Sequence, residues 1–596
     1  MTRWFIAFVL LVSSVVTSSA QTQAPRPTLP VVQAPPKVDE KKVAERLAKQ
    51  VYIAEQILVD INGLKLPENR SHVYAKVGGL LWKSDQKTSK DLFQRSINEL
   101  LNVQTLAETD EKNRQNGNDL RTIQSIRPNI LTTIGMFDAE FALESLYRTR
   151  TGSIQRALAQ AAEPPGTRIA ETNGNTSLVA NTELMLEQRL VRMAAEQNPE
   201  RAAKFLQDSI KKGLSNETLS LLKKLYEKDP ELADSLAAET LDKLLGSTFS
   251  TDQSDQRSIA LSTTILNDSL RVRKPGAKEL KFEEATLRSL ANKLINYSIS
   301  AGQNVRYSGI SVANLIKFAE KYSPAMVAAL KKLEKANLPP GTAGMIPDAD
   351  SRKLMESQMP PAQLVAEAKK LPAESRTPVY QNAAMRMARA GDFNAAMELL
   401  NANFSGRALE NAINGLNWAY AESLINQGKY TEAERMIDEM PDNNRRALLI
   451  SLATRAFAKD ANENKAYSIS VLRKVRGTLP DRPVDQTELQ QFIQLTNAYA
   501  PIDPDDAFGT FEPVIPILIE LADANAIVQG FQGQFSVRSG EFIIANGGQY
   551  GFQLDPNLIR SLAKADFDRT IKLIDGFTRR EMRISIKMQL AETGLN

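Results

Sequence analysis

Residues 380–404 read YQNAAMRMARAGDFNAAMELLNANF, and the spacing inside this stretch decides the architecture. Asp392 is followed by Ala396 and Leu400, four and eight residues on. In an α-helix those offsets fall on nearly one face. Aspartate suits the N-cap, where its carboxylate accepts from the first free backbone N–H groups. The small residue at +4 lets a preceding helix pack close, and the apolar residue at +8 fills the seam.

The same turn recurs along the chain. Asp85, Ser89 and Phe93 repeat it, as do Asp138, Ala142 and Leu146, and Asn198, Ala202 and Leu206. Further copies are Asp229, Ala233 and Ala237; Lys429, Ala433 and Ile437; Asp503, Ala507 and Phe511; and Asp566, Thr570 and Ile574. Three of these turns add proline and an acid at the first helical positions: Asn198-Pro199-Glu200, Asp229-Pro230-Glu231 and Asp503-Pro504-Asp505. All of these features favour a helix start. Apolar residues recur at three- and four-residue spacing from Val43 almost to Leu595, while period-2 alternation is scarce. The fold class predicted is all-α: an irregular solenoid of antiparallel helix pairs. Leu66-Pro67-Glu68-Asn69-Arg70 before Val73-Tyr74 is echoed by Leu371-Pro372 through Arg376 before Val379-Tyr380, which supports duplication into two halves.

Here the chain resembles the tetratricopeptide-like repeat superfamily. The resemblance rests on Ala384, Gly391-Asp392-Phe393, Ala396 and Leu400, then on Ala421, Gly428-Lys429-Tyr430 and Ala433 in residues 420–440. In that family the glycine ends the first helix, the aromatic packs between the pair and the alanine permits close approach. The resemblance covers residues 380–440 and implies a superhelical scaffold that binds peptides or proteins. Spacing between turns drifts from 31 residues (Asn198 to Asp229) to 60 (Asp138 to Asn198), so a strict 34-residue array is excluded.

Six regions follow. Residues 1–20 are expected to be a signal peptide, with Arg3, an apolar run from Phe5 to Val16, and Ser18-Ser19-Ala20 before a cleavage at Gln21. That run is short of the ~20 residues a membrane span needs, and no later segment is read as long and apolar enough to span. Residues 21–37, with prolines at 25, 27, 30, 35 and 36, read as a disordered linker. Residues 38–335 are the N-terminal repeat region, 336–362 a Pro/Gly-rich hinge, and 363–596 the C-terminal repeat region. Within the last, 530–552 is an insertion in which six glycines alternate with Phe531, Phe535, Phe542, Tyr550 and Phe552. Residues 541–545 (EFIIA) can form a short strand there. Another loop is expected from Pro164 to Asn175.

Composition narrows the chemistry. The 596 residues hold no cysteine and one histidine, and the formal charge of +4 is spread without a basic block. Thiol nucleophiles, zinc–cysteine sites, paired-histidine metal motifs and a serine triad are thereby removed. Nucleic acid is not an expected partner. His72, after Asn69-Arg70-Ser71, is expected to be a partly exposed histidine near a helix start. Ser84-Asp85-Gln86-Lys87 and Ser209-Ile210-Lys211-Lys212 match the Ser-x-x-Lys spacing, which charged helices carry by chance. Glu144-Ser145 and Glu422-Ser423 match the Glu-Ser pair of lytic transglycosylases, without the Gly-Leu-Met-Gln element that should follow. No catalytic residue, cofactor or metal is expected.

The expected function is that of an exported, non-catalytic scaffold for protein or peptide partners in the cell envelope, periplasmic or extracellular in a bacterium. A lytic-transglycosylase-like hydrolase or lyase using an unrecognised carboxylate is the alternative. Candidate partner-binding residues are Phe531, Phe535, Arg538, Tyr550 and Phe552, because aromatics on a glycine-flexed loop with an arginine can anchor a peptide. The same aromatics can instead fold back as a cap on the solenoid.

Overall fold

The computed structural model describes residues 40–109, 118–162, 175–198, 201–250, 253–271, 279–302, 310–336, 349–532, 536–546 and 554–594. The signal, the linker and the expected loop after Pro164 lie outside these residues. Contacts separate residues 1–45 from Arg46–Asn596; everything below concerns the second unit.

Its N-terminal helices are α1 (Glu40–Ile61, entering from residue 46), α2 (Pro67–Leu81), α3 (Gln86–Thr109), α4 (Asn118–Gly135), α5 (Ala139–Arg148), α6 (Gly152–Ala162), α7 (Asn175–Gln197) and α8 (Ala202–Lys211). Then come α9 (Thr218–Tyr226), α10 (Pro230–Gly246), α11 (Gln253–Ser269), α12 (Glu284–Ala301), α13 (Val312–Tyr322) and α14 (Val327–Ala336). The remainder are α15 (Ala349–Glu356), α16 (Pro361–Ala368), α17 (Ala373–Arg389), α18 (Phe393–Asn403), α19 (Gly406–Asn426), α20 (Tyr430–Asp438), α21 (Asp442–Lys459) and α22 (Ala461–Gly477). α23 (Gln486–Tyr499), α24 (Pro504–Phe511), α25 (Ile515–Phe531), α26 (Pro556–Ala565), α27 (Phe567–Asp575) and α28 (Arg580–Gln589) complete the chain.

The repeated turn does what its residues dictate. Asp138, Asp229, Asp392, Asp503 and Asp566 each accept a backbone N–H from three residues on, and Asp85 does the same for Thr88. Among the described +4 positions, Ser89, Ala142, Ala233, Ala396, Ala433, Ala507 and Thr570 are all buried. So are the +8 residues from Phe93 to Ile574. Gly391 and Gly428 sit at φ +95° and +77°, so each closes its helix in a conformation that disfavours a Cβ. Phe393 then packs on Tyr420 at 4.8 Å between ring centroids. The chain is an all-α helical-repeat protein of paired antiparallel helices.

Helices pack with their neighbours in sequence, but packing order differs from chain order. One apolar cluster runs through α15–α17 and a second through α17–α19. A third extends from α19 to α28 and also takes in Ile53, Ile57 and Ile61 of α1 and Val73 and Val77 of α2. A fourth starts at Ala75 and Phe93 and continues to Leu330 in α14. The stack therefore runs α15–α28, then α1 and α2, then α3–α14. α2 is the bridge, and that explains why it is buried on nearly every side, including Glu68, Asn69 and Ser71. Polar pairs reinforce the join. Asp60 binds Arg583 at 2.7 Å and Lys587 at 3.3 Å, and Lys76 binds Glu592 at 2.9 Å.

Three expectations need correction. α15 lies inside the stretch read as hinge, because Leu354 and Met355 have a core to pack on and buried Ser351 donates to the Ser375 carbonyl at 2.9 Å. His72 is buried, since α2 is covered by packing from both ends of the chain, which its polar local sequence does not announce. Finally, the helical run Pro504–Phe531 is long and apolar enough to cross a membrane by length and composition alone, an 18-residue window within it having a mean hydropathy of 1.5. Its first half is spent in the core through Ala507, Phe508, Phe511 and Val514.

Candidate partner-binding face

The second half of that run, α25, is apolar on two sides. Ile515, Leu518, Ala522 and Ala526 face the core at spacings of three and four. A second row, Ile517, Leu521, Ala524, Val528 and Phe531, repeats at four, three, four and three. That is the heptad rhythm by which one helix presents a seam to another. Apart from half-buried Ile517, this row is exposed: Leu521 by 41%, Val528 by 51% and Phe531 by 94%, with Ile527 beside it at 72%. The fold leaves these side chains in water, although scattered surface apolar residues rarely align in this way.

A hairpin fixes the end of α25. β1 (Val537–Arg538) and β2 (Glu541–Phe542) pair antiparallel, with Val537 opposite Phe542. Ser539 and Gly540 form the turn at φ 49° and 75°, the left-handed pair that a two-residue hairpin demands. The expected strand at 541–545 is thus present at its first two residues. Arg579 clamps the assembly: it binds Asp523 of α25 at 2.6 Å, donates to the Gly540 carbonyl at 2.9 Å, and lies over the Phe542 ring at 5.4 Å.

The hairpin also docks on α2. Glu541 accepts from Lys65 N at 2.7 Å and from Asn69 Nδ2 at 2.6 Å. Asn69 donates again to the Phe542 carbonyl at 2.7 Å and accepts from Ile544 N at 2.8 Å, so its side-chain amide reads the hairpin backbone as a strand would. Burial raises the Glu541 carboxyl above its usual range, and the hydrogen bonds from Lys65 and Asn69 only partly offset this.

The sequence candidates are thereby separated. Phe531 stands exposed at the end of the α25 stripe. Arg538 is turned toward α2, where it binds the buried Glu68 at 3.1 Å. Phe535, Tyr550 and Phe552 lie outside the described residues. Phe542, the third aromatic of the insertion, is fully buried. Leu521, Ile527 and Val528 escaped notice because a helix apolar all round reads as a core helix; the second heptad row was the available signal. Of the Glu-Ser pairs, Glu144 is exposed while Ser145 is buried in α5, and Glu422 pairs with Arg455 at 3.6 Å. Among the described residues, no group of three or more His, Cys, Asp or Glu side chains is placed to hold a metal ion.

No family model matches the chain, and no curated protein is similar to it. Among solved structures it is similar to a circular tandem repeat protein with novel repeat topology and enhanced subunit contact surfaces. The identity is 13%, with 88% of this chain and 98% of that chain covered and a TM-score of 0.18. Backbones at that score do not share one superposable fold, so the repeat architecture stands on the helix packing itself.

Proposed function

We propose that this chain is an exported, non-catalytic helical-repeat scaffold that binds a protein or peptide partner in the cell envelope, through the exposed stripe of α25. The observation that carries this reading is the second heptad row, Ile517 to Phe531, on a helix whose other face already serves the core. Covering such a row removes apolar surface from water at about 25 cal/mol per Å². A partner helix with its own row of apolar residues fits this geometry. Phe531, at the end of the stripe, offers the partner an exposed aromatic side chain to bury. The tetratricopeptide-like turns at 380–440 agree with a scaffold role, and the N-terminal signal agrees with export.

Leu521→Asp with Val528→Asp tests the reading in the full chain expressed in its native host. Both side chains point to solvent, so helix content and thermal midpoint should hold while crosslinked capture of the envelope partner is lost. Capture that survives the double substitution would sink the proposal. So would flotation of the purified chain with lipid vesicles that the same substitutions abolish, because the stripe would then serve lipid instead.

A further inference from the structure

The exposed row of α25 has a symmetry of its own. Ile517 and Phe531 lie seven residues on either side of Ala524, and Leu521 and Val528 lie three before it and four after. The row is a palindrome of size, with large apolar side chains toward both ends and its smallest residue at the centre. A two-fold contact makes that demand of a helix, because residue i must meet residue j while j meets i. Two antiparallel copies crossing at Ala524 set Ile517 on the partner's Phe531 and Leu521 on the partner's Val528. With alanine against alanine at the crossing, the helix axes can approach to about 8 Å.

The polar surroundings of the row agree. Asp523 is taken by Arg579 at 2.6 Å, and Gln529 donates to Asn525 at 3.0 Å while accepting from Ser536. These flanking groups are satisfied within the chain, so the row is built to meet an apolar surface like itself. Among the described exposed residues of α25, Glu520 alone is charged. A parallel pair in register would lay the two Glu520 carboxylates side by side, where like charges repel. The antiparallel pair separates them by eight residues along the axis, about 12 Å, which exceeds the ~8 Å screening length at physiological salt.

Area sets this row apart from scattered surface residues. The exposed parts of Leu521, Ile527, Val528 and Phe531 come to on the order of 500 Å² per copy. Two copies together reach about 1,000 Å², the size at which a specific though weak interface begins. Arg579 and the hairpin hold α25 before the copies meet, so little further ordering is required.

We infer that the partner of the α25 stripe is a second copy of this chain, in an antiparallel two-fold helix pair centred on Ala524. The inference rests on the reading of the stripe as a protein-binding face. A foreign helix needs only an apolar row; the palindrome is what a second copy requires in addition.

The chain has no cysteine, so introduced thiols report the contact without background. Sedimentation velocity of the purified chain should show a reversible dimer with a Kd on the order of micromolar. Leu521→Asp with Val528→Asp should raise that Kd about a hundredfold or more. Ala524→Cys alters one small exposed side chain, which keeps the test independent of how the aspartate variants fold. Under mild oxidation above the Kd it should give a disulfide-linked dimer. A mixture of Leu521→Cys and Val528→Cys chains should link to each other faster than either links to itself. The reverse order would mark a parallel pair and overturn the arrangement, and a dimer that survives the double aspartate substitution would place the contact elsewhere. A chain that stays monomeric, yet still captures a different envelope protein through the stripe, would refute self-pairing and leave the scaffold reading standing. A monomer that instead floats with phosphatidylethanolamine–phosphatidylglycerol vesicles would overturn both.

Discussion

His72 is the only histidine in the chain, and α2 buries it at 9% exposure, so it offers a single-site test of how the chain ends meet. Burial lowers its pKa from 6.5 to about 4, with Lys76 adding a smaller push in the same direction. The sign follows from linkage. Between those values the unfolded state binds a proton that the folded state refuses, so stability is complete above the unfolded pKa and falls as pH drops toward the folded one. From about pH 7.5 to about pH 5 the loss comes to about 2 kcal/mol. The substitution His72→Gln removes the titration and leaves a neutral side chain. Trp82, at the C-terminal end of α2, is the local reporter, in a Trp4→Phe, Trp418→Phe background. Urea midpoints for the chain that keeps His72 and for the His72→Gln variant should then diverge by that amount as pH falls. Glu541, raised by burial, and Asp60, whose carboxyl Arg583 and Lys587 hold low against burial, titrate alike in both chains and cancel. A difference between the two chains that does not vary with pH would refute the burial of His72 and the docking that produces it.

Other consequences are equally direct. Asn69→Ala should cost about 2–5 kcal/mol, because it removes a donor from the Phe542 carbonyl, the acceptor of the Ile544 N–H and a donor from buried Glu541; hydrogen exchange at residues 536–546 should speed up before that of any other region. At Gly78 an added Cβ would lie 2.6 Å from the buried Phe93 ring. Gly78→Ala should therefore lower stability by about 1–2 kcal/mol, seen as a reduced melting point, although helix propensity alone favours alanine by about 1 kcal/mol. Ala396→Leu should overpack the cluster formed with Ala384, Ala388 and Ala412 by about 1–3 kcal/mol. Because stability in repeat arrays is local plus nearest-neighbour, its protease sensitivity should rise first in α17–α19.

What the sequence discloses here is what is local. Asp138, Asp392 and Asp566 betray helix starts because an N-cap acts on residues two or three away, and Ala396 and Leu400 lie on the same face of the same helix. The short strand at Glu541–Phe542 was legible for the same reason: glycine and β-prone residues adjoin. What was hidden depends on distance along the chain. Asn69 and Glu541 are 472 residues apart, and nothing near either predicts that they meet. His72 was misjudged as a result, since its neighbours Asn69, Arg70 and Ser71 look like a surface turn until the hairpin covers them. Arg538 likewise looked free to meet a partner, because buried Glu68 belongs to another part of the sequence. The stripe on α25 was missed for a different reason: burial cannot be assigned to one of two apolar faces without knowing which side the core occupies.

The join at α2 is distinguished by polar contacts between segments that lie more than 450 residues apart. Elsewhere some neighbouring helices meet through alanine and leucine seams, as at Ala396 and Leu400, and others add buried polar pairs close in sequence, as Arg127 and Glu183 do. At the join, apolar contact from Ile53, Ile57 and Val77 is supplemented by Asn69 on the hairpin backbone, Glu68 on Arg538, and Asp60 on Arg583 and Lys587. Apolar seams are tolerant of register, whereas an amide that must satisfy a carbonyl and an N–H at once accepts one position. Polar recognition therefore specifies which helix the C-terminal segment docks on, a choice that chain connectivity does not make. The same hairpin fixes α25, through Arg579 on Asp523 and through the hydrogen bond of Ser536 to Gln529. The partner stripe is thus mounted on the segment that closes the stack. A ligand that binds only the docked form stabilises it in proportion to its occupancy, so capture on α25 should also protect the Asn69–Glu541 contact from exchange.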